Sequence, residues 1–181
     1  MDLDINNCRI ELIRGDITDQ EVDAIVNAAN ASLAGGGGVD GAIHRRGGPA
    51  IMRETDEKYP NGCPTGNAVA SGAGNLKAKF VFHTVGPRWK GGTTNEPALL
   101  QSAYRTCLEL AVKHNCRSIA FPSISTGIYG FPIQQAAPLA IQTVIDFLQN
   151  NPEPLQLVRF CLFSDADLEI YSKTLAEVKS D

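Results

Sequence analysis

Asn30 and Asp40 bracket four consecutive glycines, Gly35 to Gly38, and these residue types suit work on a phosphate-bearing ligand. Four glycines in a row bury no side chain and lose the most backbone entropy on folding, so they serve the close approach of something to the main chain. A phosphate held by backbone N–H groups leading into a helix N-terminus meets that description. Asp40 stands directly before Gly41-Ala42-Ile43 and has two readings. It is a good helix N-cap, and it is an acid beside an anion loop, able to orient or activate a water. The two roles compete, because an oxygen that accepts a cap bond is less free to act as a base. His44, one helical turn further on, reads as a packing or hydrogen-bonding residue. Asn27 and Asn30 follow a strand, where asparagine commonly ties off a turn. The same amide donates and accepts together, which suits a ribose hydroxyl or a reacting ester.

Three further places carry candidate chemistry. Asp16, in Gly15-Asp16-Ile17-Thr18, either caps the turn after a strand or accepts from an exocyclic amine such as that of adenine. Ser125-Thr126-Gly127-Ile128-Tyr129 offers consecutive N–H donors and hydroxyls, an anion nest if it is not simply a tight loop. Phe163, at the end of the last strand, is either core or an exposed ring for stacking on a base. Gly36-x-Gly38-x-x-Gly41 formally matches the dinucleotide fingerprint of a nicotinamide dehydrogenase. The genuine motif follows its strand directly, whereas several residues separate Val26 from Gly36, so the match lacks its context. His44, His83 and His114 have no metal-ligand spacing, and no metal is inferred. Cys107 and Cys116, near His114, read as inert buried thiols rather than a nucleophile pair.

The elements that must position these residues alternate. Strands are expected at 9–14, 24–26, 65–71, 80–85, 118–121 and 157–163, and helices at 41–46, 49–58, 97–114 and 136–148, with Pro138 either in the first turn of the last of these or kinking it. A final helix, capped by Ser164 or Asp165, runs to about Leu175. Such alternation predicts an α/β layered domain, in which ligands bind beyond the carboxyl ends of the strands. Asp16 and both glycine-bearing loops follow strands, so all three can converge on one cleft.

At 181 residues the chain is most simply one domain, 1–181. Its net charge of −4 argues against a broad nucleic-acid or membrane surface. A small anion remains possible, since backbone donors need no lysines. The five cysteines are scattered and never form Cys-x-x-Cys, which fits reduced thiols. Residues Met1-Asp2-Leu3-Asp4 do not begin a signal peptide, and no apolar run is long enough to span a bilayer. A soluble, cytoplasmic protein is expected.

Together, Gly15-Asp16-Ile17-Thr18, Asn27-Ala28-Ala29-Asn30, the stretch from Gly35 to His44, and Ile124-Ser125-Thr126-Gly127-Ile128-Tyr129-Gly130 resemble a macrodomain of the MacroD type, the class of the bacterial O-acetyl-ADP-ribose deacetylases. Cys63-Pro64-Thr65-Gly66 and His83-Thr84-Val85-Gly86-Pro87 extend the resemblance over essentially the whole chain. It implies a three-layer α/β/α fold with a mixed, largely parallel sheet of about six strands. It implies ADP-ribose as ligand, with the adenine amine on Asp16, the ring against the Ile17 N–H, and Phe163 stacking. Gly37, Gly38 and Val39 would grip the diphosphate from one side, and Ser125, Thr126, Gly127, Ile128 and Tyr129 from the other. Tyr129 would also pack on the distal ribose. Asp40 would be the main catalytic residue, and Asn30 would hydrogen-bond the distal ribose and position substrate. The implied substrates are O-acetyl-ADP-ribose and proteins carrying mono-ADP-ribose esterified to Asp or Glu, with no cofactor. The alternative within the family is a reader module that binds ADP-ribose without chemistry. Arg46 stands where relatives often have a small residue.

Overall fold

The computed structural model describes residues 1–181. The elements run β1 (Asp2–Ile5), β2 (Cys8–Arg14), β3 (Ala24–Ala28), α1 (Gly38–Gly47), α2 (Ala50–Lys58), β4 (Ala68–Gly72), β5 (Phe80–Thr84), α3 (Glu96–Lys113), β6 (Ser118–Phe121), α4 (Ile133–Asn150), β7 (Leu157–Leu162) and α5 (Asp165–Ser180). One sheet joins all strands in the order β1-β2-β7-β6-β3-β5-β4. The five inner strands are parallel, and β1 and β4 close the edges antiparallel. The fold is therefore the expected mixed α/β/α sandwich.

Period-two alternation divides the core. Ala24 and Val26, Phe82, Ile119 and Phe121, and Val158, Phe160 and Leu162 face α3, α4 and α5 in the larger cluster. Ile25, Val81, Ala120 and Cys161 point the other way, onto Ile43 of α1 and Ile51 of α2. Strands buried on both faces need such continuous apolar runs, which explains the short, unbroken composition of β3 and β6. Side chains two residues past Ile25 and Val81, namely Asn27 and His83, must therefore sit on the α1 side.

The sheet has seven strands rather than six. The additional one, β1, is a short edge strand whose residues are exposed or half-buried, so no apolar run marks it. It exists because Asn6, at φ 54, turns the chain back onto β2, and its amide donates to the Leu148 carbonyl of α4 at 3.0 Å. Three helices differ in extent: α1 begins at Gly38 rather than Gly41. α4 begins at Ile133, which places Pro138 well inside it, and α5 continues past Leu175 to Ser180, with Ser164 as its cap.

Because the inner strands are parallel, their carboxyl ends share one edge. Asp16 follows β2, Phe163 follows β7, the 122–131 loop follows β6, and the glycine loop follows β3. No helix is long and apolar enough to cross a membrane.

Candidate active site

Asp40 lies in the first turn of α1, not at its cap. Gly37, in extended conformation, takes the cap position with no side-chain bond, and its carbonyl accepts the Gly41 N–H at 3.1 Å. Of the two readings of Asp40, the N-cap is thus overturned: the helix starts three residues earlier, at Gly38. The side chain is only 6% exposed. Oδ1 accepts from Asn27 Nδ2 at 2.8 Å and lies 3.2 Å from His44 Nε2. Oδ2 lies on the Gly36 side and has no intramolecular hydrogen bond, yet it is not cut off from solvent. One oxygen is tethered and the other is free to hold a water. His44 is close to Asp40 but makes no side-chain hydrogen bond, and its Nδ1 is buried without a partner.

The tether continues into the sheet. Asn27 and His83 are register partners on β3 and β5, and Ser71 sits one diagonal further on β4. Asn27 Nδ2 lies 3.1 Å from His83 Nδ1, and His83 Nε2 lies 2.8 Å from Ser71 Oγ, which itself donates to the Gly72 carbonyl at 2.9 Å. Burial foremost, with the neighbouring His44 adding to it and Glu54 opposing, pushes the His83 pKa down to about 4, so the ring is neutral at pH 7. Asn27 Oδ1 is buried without a partner, a state that costs about 1–3 kcal/mol.

Asn30 organises the start of the glycine loop. Its Nδ2 donates to the Gly35 carbonyl at 2.8 Å, and its Oδ1 accepts from Ser32 Oγ and the Ala34 N–H, both at 3.0 Å. The second hydrogen on Nδ2 is left for a ligand. Beyond it, the N–H groups of Gly35, Gly36 and Gly37 have no acceptor in the protein. A Cβ added at Gly37 or Gly38 would meet nothing within 4 Å, so this backbone borders open space. Val39 is half-buried and packs beneath the loop on the α1 side of the core.

The facing loop has the same character. None of the N–H groups of Ser125, Thr126, Gly127, Ile128 and Tyr129 has an acceptor in the protein, and a Cβ at Gly127 would also meet open space. Its hydroxyls do not join them as expected. Thr126 Oγ1 turns back to the Ser123 carbonyl and hydroxyl at 3.0 and 2.8 Å, and Ser125 Oγ is buried without a partner. The base of the loop is pinned by two buried tyrosines: Tyr104 OH accepts the Ile124 N–H at 3.0 Å, and Tyr171 OH lies 2.9 Å from Ser123 Oγ. Ile128 is 90% exposed.

Asp16 fulfils its capping role with Oδ1, which accepts Thr18 Oγ1 at 2.6 Å and Thr18 N–H at 2.9 Å. These bonds, helped by the nearby Arg46, hold its pKa below the ordinary carboxylate value, so the exposed carboxylate stays ionised with Oδ2 available. Ile17 opens the 3-10 turn Ile17–Asp19, where the first N–H has no partner within the turn. Arg46 Nη2 is bound to Asp19 Oδ1 at 2.7 Å, beside that turn. Phe163 is 87% exposed, which removes the core alternative and leaves a free ring at the sheet edge.

A third segment, 87–95, was not expected at the site. The Arg88 guanidinium carbon lies 4.6 Å from the Tyr129 ring centroid, and the Trp89 N–H donates to the Tyr129 carbonyl at 2.8 Å. Buried Glu96 holds the segment by accepting from Thr94 Oγ1 and from the N–H groups of Lys90, Gly92 and Thr94. These bonds, that of the Thr94 hydroxyl first, pull its pKa down to about 2. A separate cavity of about 440 Å³ lies between α3 and α4, lined by Arg105, Glu109, Asp146 and Phe147 among others, and includes none of the candidate residues. The dinucleotide-fingerprint match fails structurally too, since residues 29–37 separate β3 from α1.

The site thus defines an α/β domain that presents two rows of free backbone N–H groups, and one free carboxylate oxygen, at the carboxyl edge of a parallel sheet. A model of the Macro domain family matches residues 26–140, and the chain belongs to that family. It is 59% identical over 172 residues to a macro domain-containing protein of Caldanaerobacter subterraneus, covering 94% of this chain and 97% of that one. It is 51% identical over 175 residues to an O-acetyl-ADP-ribose deacetylase of Salmonella newport, covering 96% and 97%. The fold superimposes on the Oceanobacillus iheyensis macrodomain solved with ADP, with a TM-score of 0.94 and 43% identity over 99% of this chain and 96% of that one.

Proposed function

We propose that this chain, as one macrodomain spanning residues 1–181, binds ADP-ribose and hydrolyses esters of its distal ribose. The substrates are O-acetyl-ADP-ribose and mono-ADP-ribose esterified to Asp or Glu side chains of proteins. The observation that carries the reading is the pair of unpartnered N–H rows, 35–37 and 125–129, combined with the free Oδ2 of Asp40. Backbone donors without partners are the natural ligands of a diphosphate. The names of the Salmonella relative and of the ADP-bound Oceanobacillus structure support the same ligand class.

In this reading Asp16 Oδ2 accepts from the adenine amine, the Ile17 N–H meets the ring, and Phe163 stacks on it. Gly37, Gly38 and Val39 hold the diphosphate from one side, and Ser125, Thr126, Gly127, Ile128 and Tyr129 from the other, through backbone rather than hydroxyls. Asn30 donates its remaining N–H to the distal ribose, and Tyr129, braced by Arg88, packs on that ribose. Asp40 Oδ2 takes a proton from water as the water oxygen bonds to the ester carbonyl carbon. Collapse of the tetrahedral adduct breaks the bond to the ribose oxygen, which receives the proton, and the carboxylic acid departs. Water is the only second reactant. Five buried, unpaired cysteines suit work in a reducing cytoplasm.

The test is acetate release from O-acetyl-ADP-ribose, run beside calorimetry with ADP-ribose. Turnover that Asp40→Asn lowers by about a hundredfold or more supports the hydrolase. Tight binding with no turnover instead makes the chain a reader, and absence of binding refutes both.

A further inference from the structure

We propose that His83 is a positioning residue: from β5 it fixes the amide of Asn27, and through that amide the orientation of the Asp40 carboxylate. The proposal rests on the hydrolase reading for its kinetic consequences, though not for its geometry.

The hydrogens can be assigned one after another. Ser71 Oγ donates to the Gly72 carbonyl, so toward His83 Nε2, 2.8 Å away, it is an acceptor and the ring nitrogen carries the proton. His83 Nδ1 is then an acceptor, and at 3.1 Å it takes one hydrogen of Asn27 Nδ2. The other hydrogen of the same nitrogen goes to Asp40 Oδ1 at 2.8 Å. Both hydrogens are committed, and Asn27 Oδ1 is left buried with no partner. An amide free to choose would turn that oxygen toward a donor. Here it does not, because with the ring in this tautomer a turned amide would set its oxygen against two acceptors, Nδ1 and Oδ1.

The opposite tautomer reverses the argument. A proton on Nδ1 would draw Asn27 Oδ1 toward His83, and that oxygen would then face Asp40 Oδ1 with no hydrogen between them. The carboxylate would lose its one hydrogen-bonded tether. Ser71 therefore chooses the tautomer, the tautomer chooses the amide face, and the amide decides which oxygen of Asp40 is free on the Gly36 side. All four residues are buried, so no bulk water can substitute for a missing member. The chain also explains why a histidine, a serine and an asparagine occupy adjoining strands on a face otherwise built from Ile25, Val81 and Ala120.

His83→Phe keeps the volume and removes the acceptor, whereas His83→Asn sets an amide oxygen near the place of Nδ1. Expected on O-acetyl-ADP-ribose is a kcat loss of about a hundredfold for His83→Phe with KM unchanged, as for a misplaced catalytic group. His83→Asn should recover most of it, and Ser71→Ala, the mildest packing change, should fall between. On an Asp40→Asn background, His83→Phe should cost nothing more, because its effect passes through the carboxylate. Full kcat in His83→Phe, or a loss that adds undiminished to that of Asp40→Asn, overturns the proposal. Two readouts need no turnover. The ring ¹⁵N shifts of the wild type should place the proton on Nε2, and Nδ1 protonation overturns the assignment. A crystal structure of His83→Phe should show Asp40 displaced from Asn27, and an unmoved carboxylate also overturns it. If the wild type fails to hydrolyse the ester, the hydrolase reading falls, and these two measurements still decide the relay.

Discussion

Asn30 Nδ2 donates to the Gly35 carbonyl at 2.8 Å, so the side chain that opens the glycine loop also closes it. Its Oδ1 takes two further donors from the same loop, Ser32 and Ala34. Asn30→Ala removes all three bonds, each worth about 1 kcal/mol net. It should lower stability by about 1–2 kcal/mol, because these groups are partly exposed. ADP-ribose affinity should fall about tenfold, the equivalent of one further lost bond, as calorimetry would show. Unchanged affinity would mean that the loop keeps its shape without the brace.

Asp40→Asn separates tether from base. The variant retains an oxygen for Asn27, so α1 should melt with the rest of the protein at nearly the wild-type temperature. Loss of the general base should lower kcat by about 10²–10⁴-fold. ADP-ribose should bind at least as well, since a negative charge beside its phosphates is gone. Acetate-release kinetics and calorimetry on the same sample check both halves.

Phe163 is exposed and holds nothing together, which makes it a clean probe of the base site. Phe163→Ala should leave the thermal midpoint unchanged and weaken ADP-ribose binding by about 1–3 kcal/mol, the usual worth of a base on an aromatic ring. Phe163→Tyr should bind as the wild type does. If Phe163→Ala binds fully, the adenine lies elsewhere.

Gly86 approaches the second loop so closely that a Cβ there would overlap the Ser125 hydroxyl and crowd Ile124. Ser125 cannot easily yield, because it is buried at a left-handed φ of 67. Gly86→Ala should cost about 1–3 kcal/mol in urea unfolding, as overpacking does. It should also weaken ADP-ribose binding through residues 125–129 while leaving the Asn30 loop intact.

Local signals made much of this legible in advance. The tetraglycine, Asn30, Asp40 and the 125–129 loop are contiguous chemistry, and the alternation of apolar runs placed them at one sheet edge. What was missed depends on contacts between distant strands. Nothing local in Phe80-Val81-Phe82-His83-Thr84 says that His83 faces Asn27; that follows only from the β3–β5 register, and Ser71 adds a third strand. Glu96 reads as an ordinary first-turn acid until the 87–95 segment folds over it. β1 depends on one left-handed asparagine and on an edge that buries little. The hydroxyl of Thr126 was misread because its nearest acceptor, Ser123, lies three residues back in the same turn.

His83 also gives the fold a pH signature. Its folded-state pKa of about 4 lies below the ordinary histidine value of 6.5, burial being the main cause, with His44 of α1 and Glu54 of α2 facing it. Between these values the unfolded chain binds a proton that the folded one refuses, so stability rises with pH. The full contribution is present above about 6.5 and is lost as pH falls toward 4, to a total of about 3 kcal/mol. Urea midpoints of the wild type should therefore decline across that window. His83→Asn carries no titrating group and should show a flatter profile there. Below about 4.5 both proteins should decline together, because the unfolded chain takes up a proton at Glu96 that the folded one refuses until near pH 2, where the 87–95 segment loses its anchor. A variant profile as steep as the wild type's between pH 6.5 and 4 would mean that another group carries the dependence.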